Sequence, residues 1–441
     1  MSPAGTSSPS PESLAPRLSA AAPSHESPRE PSPGPSPFGP RPAGGGLGRL
    51  LTLLALGHTA MFMVYMGVGQ VLLPVQIEAL DPADKVANLG LVSGISAVFA
   101  TLFNPLAGLL SDRSRRRNPW ILGGGIAALG ALALLGAMRT LLLVTIGWCL
   151  VQAMMNVYQA AITAVVPDRV PTERRGLASA MVGIGTPLGV IAGVTLAASF
   201  VPGSVTTGYL ALGAVIALAA VLFTALVREQ KLPAVESVPL ARQFAAFGAA
   251  LKAPDFRWAF IGRFLMMLGY FSVALFQLYI VQDHISLPAG LEPAEAVAIL
   301  SPVNALCMLL ATVVGGVFSD RIGRRKPFIA VSCVLTAVGM AAPVLSSTWT
   351  GMLVFAAVTG LSFGCFMAVD TALVTLVLPS ADDAARDMGV LNIANAGPQI
   401  IGPFLASVVV AQLGGYTGLF VTGAVITILG ALSVVPIRGV R

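Results

Sequence analysis

Charge is what this chain has least of: 10% of its 441 residues are Asp, Glu, Lys or Arg, against about 25% in a typical soluble domain. With 55% hydrophobic residues beside that shortage, an ordinary water-soluble globule is excluded. Cysteine is nearly missing too. The four present, Cys149, Cys307, Cys333 and Cys365, make no CxxC pair and fall inside apolar runs. That pattern excludes a disulfide scaffold or thiolate metal site and leaves them as small apolar fillers. There is no glycine-rich Walker A sequence, no His, Cys, Asp and Glu set at metal spacing, and no nucleophile beside a base. These absences argue against an enzyme, a resident cofactor and an ATP-driven pump.

What the chain has in quantity is long apolar runs. A helix needs about 20 apolar residues to cross a hydrocarbon core about 30 Å thick at 1.5 Å per residue. Twelve runs meet that length: 50–76, 88–110, 119–138, 141–165, 177–200, 207–227, 258–282, 296–318, 328–346, 349–377, 388–412 and 416–436. Pro74, Pro105, Pro187 and Pro398 lie inside them, a pattern that membrane helices tolerate. The runs do not alternate in polarity, which excludes a β-barrel. The expected fold is an all-α membrane protein of twelve transmembrane helices. Residues 1–48 differ in kind, with twelve prolines and ten serines. Such a segment buries too little apolar surface to offset its ordering entropy and is expected to be a disordered cytoplasmic tail, a tether without a specific partner. It holds no apolar signal-peptide core, so the first span is expected to direct insertion.

The scarce charge is not scattered. "GLLSDRSRRRNPWIL", 108–122, carries five charges in the six positions from Asp112 to Arg117, and "GGVFSDRIGRRKPFI", 315–329, repeats its frame 208 residues later. Both fall in turns on one side, after spans 2 and 8. That side, with both termini, holds 23 of the 26 Lys and Arg residues, which marks it as cytoplasmic. Contact with anionic membrane lipid accounts for the net charge of +6 without nucleic acid. The duplication divides the chain into six-helix halves at 49–227 and 257–441, joined by a cytoplasmic linker at 228–256. "GHTAMFMVY" at 57–65 matches "GRFLMMLGY" at 262–270, and Pro167 matches Pro379.

Twelve spans in two halves, with G-x-x-x-D-R-x-x-R-R after the second helix of each, resemble the major facilitator superfamily from about residue 50 onward. The resemblance implies a secondary transporter, monomeric in the plasma membrane, that binds its solute near mid-membrane and rocks its halves around it. It also implies a conformational latch at Gly108, Asp112, Arg113, Arg116 and Arg117, repeated at Gly316, Asp320, Arg321, Arg324 and Arg325. There the carboxylates pair with nearby arginines or with a helix N-terminus of the other half, and the glycines allow close helix approach. Arg115 stands where the second copy has Gly323, so the first turn is expected to be looser.

Ionisable groups within spans are expensive and mark function by default. His58, Arg263 and Asp370 are such groups, each some eight or nine residues from the cytoplasmic end of its helix, and Tyr158 matches Asp370 across the duplication. Polar stripes recur at helical spacing: Arg263, Tyr270 and Gln277; Gln152, Asn156 and Gln159; Asn392, Asn395 and Gln399; with His58 and Tyr65 on the first span. Amides and tyrosines on facing walls suit a neutral, hydroxyl-rich or amphipathic small molecule; they equally suit helix-to-helix hydrogen bonding. Asp370 is the expected proton carrier, loaded and unloaded as Arg263 moves, with His58 second. "NVYQAAITAVVPDRVPTERRG" and "AVDTALVTLVLP" resemble the sucrose-proton and glycoside-cation symporters, which implies proton-coupled sugar or glycoside symport. An exporter of drugs or secondary metabolites is the alternative, disfavoured because "GIGTPLGVIAG", 183–193, matches the antiporter signature only in part and no Arg lies between Trp148 and Val166. A non-transporting sensor on the same fold is the third reading.

Overall fold

The computed structural model describes residues 44–229, 253–377 and 384–437. Most of the expected tail, the centre of the linker and the loop after Val377 lie outside the described residues. The rest is helical. In order, α1 is Gly44–Gly67, α2 Leu73–Leu80, α3 Lys85–Ser114, α4 Asn118–Ala137, α5 Leu141–Arg169, α6 Arg175–Phe200 and α7 Val205–Leu226. After the linker come α8 Pro254–Ala274, α9 Gln277–Asp283, α10 Pro293–Ile322, α11 Lys326–Leu345, α12 Trp349–Val377, α13 Ala384–Gln412 and α14 Gly415–Ser433. Among the described residues eleven helical spans are long and apolar enough to cross a membrane, and the bent pair α8–α9 makes a twelfth.

Local chemistry sets several boundaries. Thr140 Oγ1 and Ser204 Oγ accept from the Leu143 and Thr207 backbone N–H groups and cap α5 and α7. Proline in the first turn opens α4, α8, α10 and α11, where a missing N–H costs nothing. Two expectations need correction. The helix of the first span takes in residues 44–48, assigned above to the tail, because Leu47 already packs on the core. The seventh span is not one straight helix but bends 49° between α8 and α9. The bend follows Ser272, whose hydroxyl donates to the Leu268 carbonyl at 2.6 Å, a back-bond that disturbs the helix ladder.

α1 to α7 pack on one another, as do α8 to α14, and the two halves meet where α3 lies on α13 and α6 on α10. The meeting is tight at one end only. A methyl group at Gly90 would come 2.7 Å from Pro403 O and one at Gly94 2.3 Å from the Phe404 ring, whereas one at Gly108, farther along α3, would meet nothing within 4 Å. The halves are thus in close contact around the start of α3, while Gly108 near its other end faces open space.

Within the first half, Gly185, Gly189 and Gly193 present one face of α6 to α1. Methyl groups there would fall 3.0 Å from Ala55 O, 2.5 Å from Thr59 O and 2.4 Å from Met63 O, so only glycine permits this approach. Three of the four glycines of "GIGTPLGVIAG" thus have a packing role in this chain, while Gly183 faces open space.

Candidate functional site

A buried charged cluster lies in the second half. Arg263, nine residues into α8, extends Nη1 to within 2.8 Å of Asp370 Oδ2 on α12 and donates from Nε to Asn395 Oδ1 on α13 at 2.8 Å. The Arg263 and Asp370 side chains are 8% and 3% exposed. The contact is an ion pair, and among the described residues Asp370 Oδ2 accepts no further hydrogen bond. This carboxylate is held by charge and left geometrically undersatisfied in a low-dielectric setting, where an unmade bond is costly. Helices far apart in sequence meet here because α8 packs on both α13 and α12.

Two turns further, Tyr270 donates to Asn304 Oδ1 of α10 at 3.2 Å and stacks on Phe363 of α12 with ring centroids 4.1 Å apart. Asn304 in turn donates to Ala356 O at 3.0 Å and Thr359 Oγ1 at 3.3 Å. Asn304, Thr359 and Phe363 escaped the sequence reading, although a lone amide within an apolar span was a legible signal. Gln277 does not continue the stripe of Arg263 and Tyr270, because the bend before α9 turns it off that line. Gln399 is exposed and donates to Asn395 O at 3.2 Å. The Asn392 side chain lies outside the described residues.

The matching positions of the first half behave differently. His58 Nδ1 lies 2.9 Å from Leu54 O of its own helix, and Tyr158 donates to Gly57 O at 3.3 Å while fully buried. Neither reaches the other's side chain. Tyr65 donates to Gln159 Oε1 at 3.0 Å, joining α1 to α5. Asn156 is buried and donates to Gln152 O of its own helix, while the Gln152 side chain is half-buried.

At the motif end of the first half, Arg117 is the organising side chain, 7% exposed. Its Nη1 lies 2.7 Å from Asp112 Oδ1 and 2.8 Å from Ser111 Oγ, and its Nε 2.8 Å from Asp168 Oδ2. Burial opposes its charge, but the Asp168 and Asp112 carboxylates more than offset that, raising its pKa above the ordinary arginine value. Glu229 accepts from the backbone N–H groups of Arg117 and Asn118 at 3.3 and 2.9 Å, capping α4. Four helix ends, of α3, α4, α5 and α7, are tied at this point. Arg113 and Arg116 are exposed, as are Arg321 and Arg324 of the second copy, while Arg325 is half-buried. The Asp320 side chain lies outside the described residues.

Two expectations about the motif change. Arg115 adopts φ 54° and Gly323 φ 65°, the same left-handed cap, so the first turn is as tight as the second and carries the strain of a side chain there. Gly108 and Gly316 do not mediate close approach in this conformation: Gly108 faces open space, and a methyl at Gly316 would make ordinary contact with Ala368 at 3.8 Å.

Comparison with known proteins agrees with this architecture. In fold, the chain is similar to a mutant of the nucleoside transporter NupG at TM-score 0.73 and 16% identity, covering 89% of this chain and 99% of that one. It is similar to a POT family transporter in complex with 5-aminolevulinic acid at TM-score 0.70 and 14% identity, over 87% and 94%. A bacterial homolog of the human lysosomal transporter Spinster, inward-facing and unoccupied, matches at TM-score 0.65 and 16% identity, over 89% and 95%. In sequence, monocarboxylate transporter 2 of Meriones unguiculatus is 25% identical over 174 residues, 39% of this chain and about a third, 34%, of that relative's length. The family model described as Major Facilitator Superfamily matches residues 50–303 and 292–440. With twelve spans in two packed halves and that match across nearly all of its helical part, the chain belongs to the Major Facilitator Superfamily and is a transporter of that type.

Proposed function

We propose that this transporter couples a proton to the movement of a small neutral, hydroxyl-rich solute of the sugar or glycoside class across the cell membrane. The observation that carries this is the buried Arg263–Asp370 pair with its undersatisfied carboxylate. A proton on Asp370 removes the charge that holds Arg263, which frees the guanidinium and Asn395 to hydrogen-bond solute; loss of the proton restores the pair. Tyr270 stacked on Phe363 offers an aromatic wall, and the exposed Gln399 amide a polar one. The excess of Lys and Arg on the motif side supports a cytoplasmic placement of that side and of both termini.

A second reading draws on the same residue. A guanidinium released by protonation of Asp370 is a fork suited to a carboxylate, so a monocarboxylate anion carried with a proton fits Arg263, in line with the name of the relative matched in sequence. Proteoliposome uptake under an imposed pH gradient separates these. Accumulation of sugars or glycosides supports the first reading, accumulation of monocarboxylates alone replaces it with the second, and uptake indifferent to the gradient refutes proton coupling.

A further inference from the structure

At the closed end of the bundle, Lys85, the first residue of α3, is enclosed by groups from both halves. Its Nζ lies 2.9 Å from Glu78 Oε1 of α2 and 2.8 Å from Asp283 Oδ1 of α9, and sits 4.9 Å from the centroid of the Tyr279 ring. Asp283 and Tyr279 belong to the second half. Three further bonds cross the same seam: Gln282 Nε2 donates to Glu78 Oε1 at 2.6 Å, Tyr279 Oη to Pro74 O at 2.7 Å, and Ser301 Oγ to Gln70 Oε1 at 3.4 Å. Asp283 is itself fixed, its Oδ2 accepting from Tyr416 Oη of α14 at 2.8 Å. The Lys85 side chain is 12% exposed and those of Glu78 and Asp283 26% and 32%, so the pairs are partly screened by solvent and their strength comes from being joined in one network.

We infer that Lys85 is the central cation of an electrostatic clasp, Glu78–Lys85–Asp283 with Gln282, Tyr279 and Tyr416, that holds the two halves together at the end remote from the repeated motif. It must open for the carrier to face the other way. The geometry is that of a conditional contact. Glu78 and Lys85 are fixed to one half and Asp283 to the other, so separating the halves leaves the first pair intact while removing Lys85 from Asp283 and Tyr279 and Glu78 from Gln282. A lone carboxylate facing Glu78 would repel; the lysine converts that repulsion into attraction. Breaking the seam therefore changes the balance between conformations without touching the Arg263–Asp370 site. The inference rests on the transporter class alone and stands whichever solute or ion is carried.

The test reads conformation rather than transport. Val297, fully buried one turn before Ser301 on α10, becomes a cysteine in the full-length chain with Cys149, Cys307, Cys333 and Cys365 replaced, and its labelling by a membrane-impermeant maleimide is timed in proteoliposomes. Lys85→Met and Asp283→Asn are each expected to raise the labelling rate about three- to tenfold, the shift in population that loss of one networked ion pair produces. The charge swap Lys85→Asp with Asp283→Lys, which sets a lysine from the second half between Glu78 and the new aspartate, is expected to return labelling toward the parent rate. Size-exclusion profiles identify any variant that does not fold, and the swap provides an independent reading if one single variant fails. Unchanged labelling in both folded single variants would show that apolar packing alone closes this end and would overturn the clasp. So would a swap that labels as fast as the singles, because complementarity of charge would then be irrelevant.

Discussion

The two halves share one plan and treat its polar positions in opposite ways. In the first half, His58 and Tyr158 turn to backbone carbonyls of α1, Leu54 O and Gly57 O, and the neighbouring α1–α6 seam is closed by glycines at backbone contact. In the second half, the matching Arg263 and Asp370 turn to each other and to Asn395, so the seams of α8 with α12 and α13 are bridged by side chains. Tyr158 ties α5 to a backbone carbonyl of α1 that carries no charge, and His58, bonded to its own helix, has nothing to exchange when the helices shift. A side-chain pair between helices does, because its energy depends on the distance between them. The duplication thus places neutral hydrogen bonds, such as Tyr65 to Gln159, in the interior of the first half and a charged pair whose partners can change in that of the second.

The sharpest way to break this comparison is to remove the charge. Asp370→Asn should abolish accumulation driven by a pH gradient while sparing solute exchange, whereas Tyr158→Phe should accumulate close to wild type; radiolabelled uptake and counterflow in proteoliposomes measure both. Equal losses would place the two halves on the same footing. Arg263→Ala leaves a buried carboxylate without its cation and should cost about 3–5 kcal/mol, while the double variant Arg263→Met with Asp370→Leu should recover most of the stability and none of the coupling. Thermal unfolding in detergent compares them. His58→Gln, by contrast, should lower stability by about 1 kcal/mol, the worth of one backbone bond.

Packing offers a smaller contrast. Gly193→Ala places a methyl 2.4 Å from Met63 O and should cost about 1–3 kcal/mol, while Gly402→Ala in the second half, whose nearest atom is Ser272 Oγ at 3.3 Å, should cost less than about 1 kcal/mol. Fluorescence-detected size exclusion after heating ranks the two, and a reversed order would refute the tight seam of the first half. The smallest effect concerns the motif turns: Arg115→Gly should stabilise by about 0.5–1 kcal/mol and Gly323→Ala destabilise by a similar amount, because both sit at positive φ.

Much of this was legible in the residues. Apolar runs of the right length announce the spans, since a membrane leaves the backbone little choice but a helix, and the two Asp-Arg frames announce the duplication. Arg263, Asp370 and Asn395 stood out because charge and amides are conspicuous in such runs. Their meeting point is a property of how α8, α12 and α13 pack, which spacing along one helix does not contain. Gln277 was misplaced for the same reason, because strict heptad spacing assumes a straight helix and Ser272 precedes a bend. The Lys85 cluster left no sequence signal of its own. Glu78, Lys85 and Asp283 lie at span ends, where charges are ordinary, and Lys85 and Asp283 are 198 residues apart.

One remaining feature gives the first span its double duty. Between α1 and α2 the helix takes a π turn, Val68–Leu72, with wider winding than the α-helix on either side. One surplus residue amounts to about 100° of rotation about the helix axis. Before the turn, Tyr65 is keyed to Gln159; after it, Gln76 donates to Leu135 O and Met138 O, and Glu78 enters the clasp. The span is built like a crankshaft, with two throws set at different angles on one axle. Rotation imposed at the polar interior is therefore delivered to the closed end in a different direction, through covalent backbone rather than through any relay of side chains.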